Sequence, residues 1–183
     1  MSLRQPQHPS PGTGRMVHVP QGRYELSDAP DAVMVTVLGS CVSACLHDPV
    51  RGIGGINHFL LPEADASDRR VVNYGSWAME ALINALLHRG ARKERLEAKL
   101  FGGARVLSLA SDIGRANAAF AEGFLRNEGI ACTARSLGGT AARKLRYWPA
   151  SGRAQVMLLP TAALLPPSRP ALPRPHSGDV DLF

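Results

Sequence analysis

The stretch TVLGSCVSACLHD, residues 36–48, places a cysteine directly after a Gly-Ser pair, between two runs of strand-forming residues. A thiol in that setting has two uses. It packs as a small hydrophobe, the common fate of a free cysteine, or it acts as a nucleophile once a base takes its proton. Gly39 and Ser40 favour the second use for Cys41, because glycine lets backbone approach a ligand closely and opens N–H groups into a pocket. Cys45 and Cys132, the other two cysteines, sit inside apolar patterns and read as core residues.

A nucleophilic thiol needs a base in reach, since a free thiol with a pKa of about 8.5 is only a few per cent ionised at neutral pH. The candidate base is His58. AVMVTVL (32–38) and CVSACLH (41–47) read as strands, Asp48-Pro49 as a turn, and GIGGINHFLL (52–61) as the return strand. With DPVR (48–51) as the loop, His47 pairs with Gly52 and Cys41 falls directly opposite His58. Directly opposed residues share a face, with Cβ atoms roughly 4.5 to 5.5 Å apart. A one-residue slip would turn His58 to the other face, and so would a bulge at Gly54-Gly55. Without Cys41 across from it, His58 reads as a half-buried strand histidine.

His47 lies too far along the extended strand to serve, roughly 20 Å from Cys41 at about 3.3 Å per residue. Zinc is the rival chemistry for Cys41, Cys45, His47 and His58. In a strand, however, Cys41 and Cys45 stand about 13 Å apart, too far to share a metal with bonds near 2.3 Å. Neither a metal nor a cofactor is expected.

The remaining elements frame this hairpin. NYGSWAMEALINALLHRG (73–90) reads as a helix with Asn73 as N-cap, Trp77, Ala81, Leu82, Ala85 and Leu86 on one face, and Gly90 just past its end. LEAKLF (96–101) is a strand running into Gly102-Gly103. A second helix starts near Asp112, buries Ile113, Phe120, Phe124 and Leu125, and stops at Gly129. IACTARSL (130–137), ARKLRYW (142–148) and AQVMLL (154–159) are three further strands. Strands and two main helices alternate without strict βαβ order, which predicts an α/β sandwich with a mixed sheet.

At 183 residues the chain suits one domain. The net charge of +6 and pI near 9.8 favour acidic partners. Part of the excess lies in the tails and in RKLR (143–146), where basic charge reads as a solubility feature rather than a nucleic-acid footprint. No apolar run approaches the roughly 20 residues that span a bilayer. MSLRQPQHPSPGTGR lacks the apolar core of a secretory signal. Three cysteines, odd and sparse, suit a reducing compartment, so a cytoplasmic location is expected. Residues 1–16 and the proline-rich 161–183 read as disordered tails around a domain of 17–160. PPSRP in the second tail has the spacing of a polyproline ligand, although a flexible tail is the plainer reading.

Taken together, TVLGSCVSACLHDP, GIGGINHFLLP, KLFGGA, IGRANAAF and LGGTAARKLRYW, in that order along most of 32–157, resemble the CheD family, the chemoreceptor glutamine deamidases of bacterial chemotaxis. The resemblance implies a protein-glutamine amidohydrolase. Such an enzyme converts selected glutamines of methyl-accepting chemotaxis receptors to glutamate, releasing ammonia through a cysteine thioester. It also implies a fold like that of deamidating bacterial toxins, a papain-like catalytic arrangement and a CheC-type phosphatase as partner. Carried onto this chain, the nucleophile is Cys41, the base His58 and the third member Thr36. Strand alternation puts Thr36 on the face of Met34, opposite Val33, Val35 and Val37. The oxyanion donors are expected at Cys41 and the Gly39-Ser40 turn, with Phe101, Gly102 and Gly103 helping to wall the substrate groove. The competing class is a non-catalytic adaptor that binds receptor or phosphatase and uses Cys41 and His58 only for packing.

Overall fold

The β-branched run Val33–Leu38 forms strand β3, and the cysteine-bearing run Val42–Asp48 forms β4, but the two lie in different sheets. The computed structural model describes residues 15–61, 69–105 and 113–160, with 69–73 as helical backbone only. One sheet has the order β1 (Met16–His18), β3, β8 (Ala142–Trp148), β9 (Arg153–Leu159). The other runs β2 (Arg23–Ser27), β5 (Ile53–His58), β4, β6 (Glu97–Gly102), β7 (Ala131–Leu137). Both are mixed: β1–β3 and β6–β7 pair parallel, the other neighbours antiparallel.

The two sheets pack face to face through Val19, Met34, Leu38, Cys45, Ile56, Phe101, Leu145 and Tyr147. Helices α1 (Arg69–His88) and α2 (Ile113–Asn127) cover the outer face of the five-stranded sheet, against Val42, Ala44, Leu46 and Leu100. The result is the expected mixed α/β sandwich, in three layers. β4 is buried on both faces, which is why its stretch Val42–Leu46 is apolar apart from Ser43. The short strands β1 and β2, at the edges of their sheets, have no counterpart in the sequence reading. They carry mostly exposed residues and hence little apolar periodicity. β1 starts at Met16, inside the segment expected to be a tail; residues 1–14 and 161–183 lie outside the described residues.

Helix α1 begins at Arg69, so Asn73 lies within it and is not its N-cap. Its inner stripe is Ala78, Met79, Leu82, Ile83 and Leu86, one position round from the expected face. Trp77 is 56% exposed and lies beside Tyr74, ring centroids 6.3 Å apart. The helix packs closely enough on α2 that a Cβ at Gly75 would strike the Phe120 ring, and a stripe of smaller side chains fits that approach where an indole does not. On α2 the inward residues are Gly114, Asn117, Ala118, Ala121 and Leu125, while Ile113, Phe120 and Phe124 are half-buried; Asp112 lies outside the described residues.

The β4–β5 hairpin differs from expectation by two residues. His47 pairs with Gly54, and Asp48 with Ile53, so the loop is Pro49–Gly52. Asp48 explains the shift. Its Oδ1 accepts the Val50 and Arg51 N–H groups at 3.0 Å each, closing the turn around its own side chain and keeping Asp48 in the strand. Gly54 and Gly55 stay in register without a bulge. A Cβ at Gly54 would meet Pro149 O, and one at Gly55 would meet Leu82 and Glu25 O, so these glycines serve close packing.

Asp48 also takes a two-nitrogen contact from Arg95, with Nη2 at 2.7 Å and Nε at 3.0 and 3.1 Å, and the Arg92 N–H at 2.9 Å. Burial by itself would raise this carboxyl. Arg95 and the backbone N–H groups of Arg92, Arg51 and Val50 outweigh it and hold the pKa at about 2. A depressed carboxyl contributes stability above its unfolded pKa of 3.8 and loses it as pH falls toward 2. That contribution is about 2 kcal/mol. Asp48→Ala, which strands Arg95 and three N–H groups, is expected to cost about 3 to 5 kcal/mol at neutral pH. Urea denaturation of both proteins at neutral pH and near pH 3 checks this. A penalty that does not shrink in acid contradicts it.

Candidate active site

The site lies where the chain leaves β3 of one sheet and enters β4 of the other. Gly39, Ser40 and Cys41 make the crossing, and three donors hold their carbonyls. Gly39 O accepts from Ala104 N at 2.8 Å, Ser40 O from Asn117 Nδ2 at 3.0 Å, and Cys41 O from Gly103 N at 2.8 Å. In a trans peptide the N–H points away from the preceding carbonyl. The Ser40 and Cys41 N–H groups are therefore turned away from these anchors.

His58 ends β5 and is 7% exposed. Its Nδ1 lies 2.9 Å from Thr36 Oγ1 and 3.2 Å from Val19 O, while the Thr36 hydroxyl donates to Val19 O at 2.9 Å. These contacts fix the tautomer. Thr36 has one proton and gives it to Val19, and a carbonyl can only accept, so Nδ1 must carry the ring proton. Nε2 is left as a bare lone pair, buried and without a hydrogen-bond partner. Burial lowers the imidazole pKa below its ordinary value, partly offset by the Val19 bond.

Cys41 is not directly opposite His58. The Val42–Phe59 bridge continues the β4–β5 register, which puts Ser43 across from His58 and Cys41 one diagonal away. The two-residue slip preserves parity, so Cys41 and His58 still share the inter-sheet face. Diagonal neighbours have Cα atoms about 7 to 8 Å apart, within reach of a long side chain such as histidine. The Cys41 sulfur donates to Gln21 Oε1 at 3.3 Å. Burial pushes the thiol above its ordinary pKa, against a smaller pull from its own N–H. Both shifts favour the uncharged forms, thiol and neutral imidazole.

Met34, Thr36 and Leu38 point between the sheets, as alternation predicts. Phe101 is 5% exposed in the inter-sheet core, paired with Ser43, and forms no open wall. Gly102 and Gly103 lie beneath the Cys41 peptide. Cys45 is buried between the sheets, His47 Nε2 faces Ala150 O at 3.2 Å, and Cys132 donates to Ala134 O on β7. Among the described residues no three His, Cys, Asp or Glu side chains gather as metal ligands. Sequence reasoning missed Gln21, Val19 and Asn117. A buried asparagine in the alanine-rich face of α2 was a usable signal, since such a residue needs partners. Asn117 finds them in Ser40 O and Leu61 N. Gln21, in a turn between two edge strands, offered none.

Comparison with known proteins places the chain. Residues 60–158 match the family described as CheD chemotactic sensory transduction. The chain belongs to the CheD family. A probable chemoreceptor glutamine deamidase CheD of Caulobacter vibrioides is 50% identical over 182 residues, covering 96% of this chain and 97% of its own. CheD relatives of the same description from Cereibacter sphaeroides (50% identical, 96% and 88% covered) and Rhizobium meliloti (49%, 93% and 97%) are similar. A solved Neisseria meningitidis protein of the DUF152 family aligns with a TM-score of 0.44 at 12% identity, over 69% of this chain and 63% of its own. No helix among the described residues is long and apolar enough to cross a membrane.

Proposed function

We propose that this chain hydrolyses glutamine side chains of chemoreceptors to glutamate, with Cys41 as nucleophile and His58 as base. The observation that carries the reading is the tautomer lock. Two acceptors, Thr36 Oγ1 and Val19 O, hold the proton on Nδ1 and leave Nε2 a buried lone pair without a hydrogen-bond partner, on a histidine that shares a sheet face with Cys41. His58 Nε2 takes the thiol proton as sulfur attacks the amide carbon. The oxyanion meets the outward Ser40 and Cys41 N–H groups. Imidazolium returns the proton to the amide nitrogen, ammonia leaves, and a thioester remains. Water, deprotonated by His58, adds to the thioester, and the sulfur departs to give glutamate and a restored thiol. On this reading the protein partners are chemoreceptors, as substrate, and a CheC-type phosphatase.

The test is mass spectrometry of receptor cytoplasmic fragments incubated with the protein. Amide-to-acid conversion at defined glutamines is expected. Binding without any mass change favours the adaptor class instead. Thr36→Val keeps the shape of the side chain and removes its hydroxyl. It is expected to lower kcat by about ten- to a hundredfold, with KM little changed, because one buried hydrogen bond that orients the ring is lost. Steady-state kinetics on the same fragments decides it.

A further inference from the structure

Gln21 is the one side chain in hydrogen-bond contact with the Cys41 sulfur among the described residues, and it carries the functional group of the substrate. Its position is held from both flanks. On one side Val19 N donates to Val35 O at 3.0 Å, and Val19 O accepts from Thr36 and His58. On the other, Gly22 N donates to His58 O at 2.7 Å, and Arg23 N closes a turn onto Pro20 O at 3.2 Å. The φ of +78° at Gly22 suits the third position of that turn. The turn is thus tied to the strands of both Thr36 and His58, and it projects the Gln21 carboxamide onto the thiol.

The contact has a direction. The sulfur donates to Oε1, so its proton points at Gln21, while His58 Nε2 has no partner. An attacked amide would present its carbon to sulfur and its oxygen to the Ser40 and Cys41 amides. Gln21 presents its oxygen to sulfur instead, an unproductive pose. We propose that Gln21 is an internal substrate mimic: its carboxamide occupies the place of the incoming receptor glutamine, caps the thiol away from His58, and swings out when substrate enters. The side chain is exposed and its backbone fixed, so leaving requires only side-chain rotation. This role rests on the deamidase reading above.

The experiment compares full-length wild type with Gln21→Ala and with Gln21→Met, which keeps length but lacks the amide. The first readout is the rate of Cys41 alkylation by iodoacetamide at neutral pH, assigned by peptide mapping. The second is KM and kcat on receptor fragments. Both variants are expected to alkylate about three- to tenfold faster at Cys41, as release from one neutral hydrogen bond allows. KM is expected to fall by a similar factor with kcat retained. Unchanged or slower alkylation overturns the proposal. So does a fall in kcat at constant KM, which would make Gln21 an oxyanion donor, or conversion of Gln21 itself to glutamate in wild type. Iodoacetamide needs no receptor. Faster alkylation in the variants, with no receptor deamidation by wild type, refutes the activity and leaves the capping intact.

Discussion

Cys41→Ala is expected to abolish conversion of receptor glutamines, lowering kcat by about 10⁴-fold or more, while the protein folds and binds receptor as before. Removing a nucleophile from a site that works as a unit leaves only binding and oxyanion stabilisation, and neither can form the thioester. Stability should barely move. The sulfur is half-buried and bonded to the exposed Gln21, so its loss opens no sealed cavity. Cys45→Ala is the matching control: that side chain is 1% exposed between the sheets, and its loss should cost stability but leave kcat intact. The pH profile adds a second reading of the same pair. On the proposed mechanism His58 acts only when neutral, and burial places its pKa below the ordinary 6.5. The acid limb of kcat/KM should therefore fall below that pH. An acid limb above it would contradict a buried neutral base, and a Cys41→Ala protein that still deamidates would remove sulfur from the reaction.

How far the site was legible follows from which constraints are local. The shared face of Cys41 and His58 could be read because strand parity survives a slip of two residues, and the error in the hairpin was of that size. The error itself came from Asp48, whose side chain closes the turn and so extends the strand, an effect that turn propensity alone does not reveal. Thr36 was reached through the family resemblance; alternation added only that it faces inward. Its partner, the Val19 carbonyl, is a backbone atom in a segment with no strand signal, and nothing in the residue types announces it. The inner face of α1 is not legible from its large apolar residues, because Trp77, the largest of them, faces outward. Which stripe turns inward was decided by the room between the sheet and α2, and that depends on the whole fold. That two sheets, rather than one, lie under the helices could not be counted from strands alone. The Gly39–Cys41 segment reads as a tight turn, although it is the step that carries the chain from the sheet of Thr36 to the sheet of His58.

Gly102 lies directly beneath the Cys41 end of that step, and a methyl group there should disable the enzyme without touching its chemistry. Gly102 has φ +112°, a conformation that residues with a Cβ rarely adopt, and a Cβ would collide with the Cys41 carbonyl oxygen. The strand cannot retreat, because Gly102 O is held by Gly138 N at 3.0 Å and Arg143 Nη1 at 3.2 Å. The Cys41 peptide must move instead, breaking its bond from Gly103 N and turning the neighbouring amides off their aim. Gly102→Ala is expected to cost about 2 to 4 kcal/mol in urea denaturation, from left-handed strain together with the collision. Its kcat should fall by about a hundredfold, the usual penalty for misplacing a reacting group by roughly 1 Å. Gly138→Ala separates the two causes. Gly138 also has positive φ, +72°, but a Cβ there meets nothing within 4 Å. That variant should show the strain alone, about 1 kcal/mol or somewhat more, with kcat unchanged. Equal losses of activity at the two glycines would mean that the position of the Cys41 peptide is not what catalysis depends on.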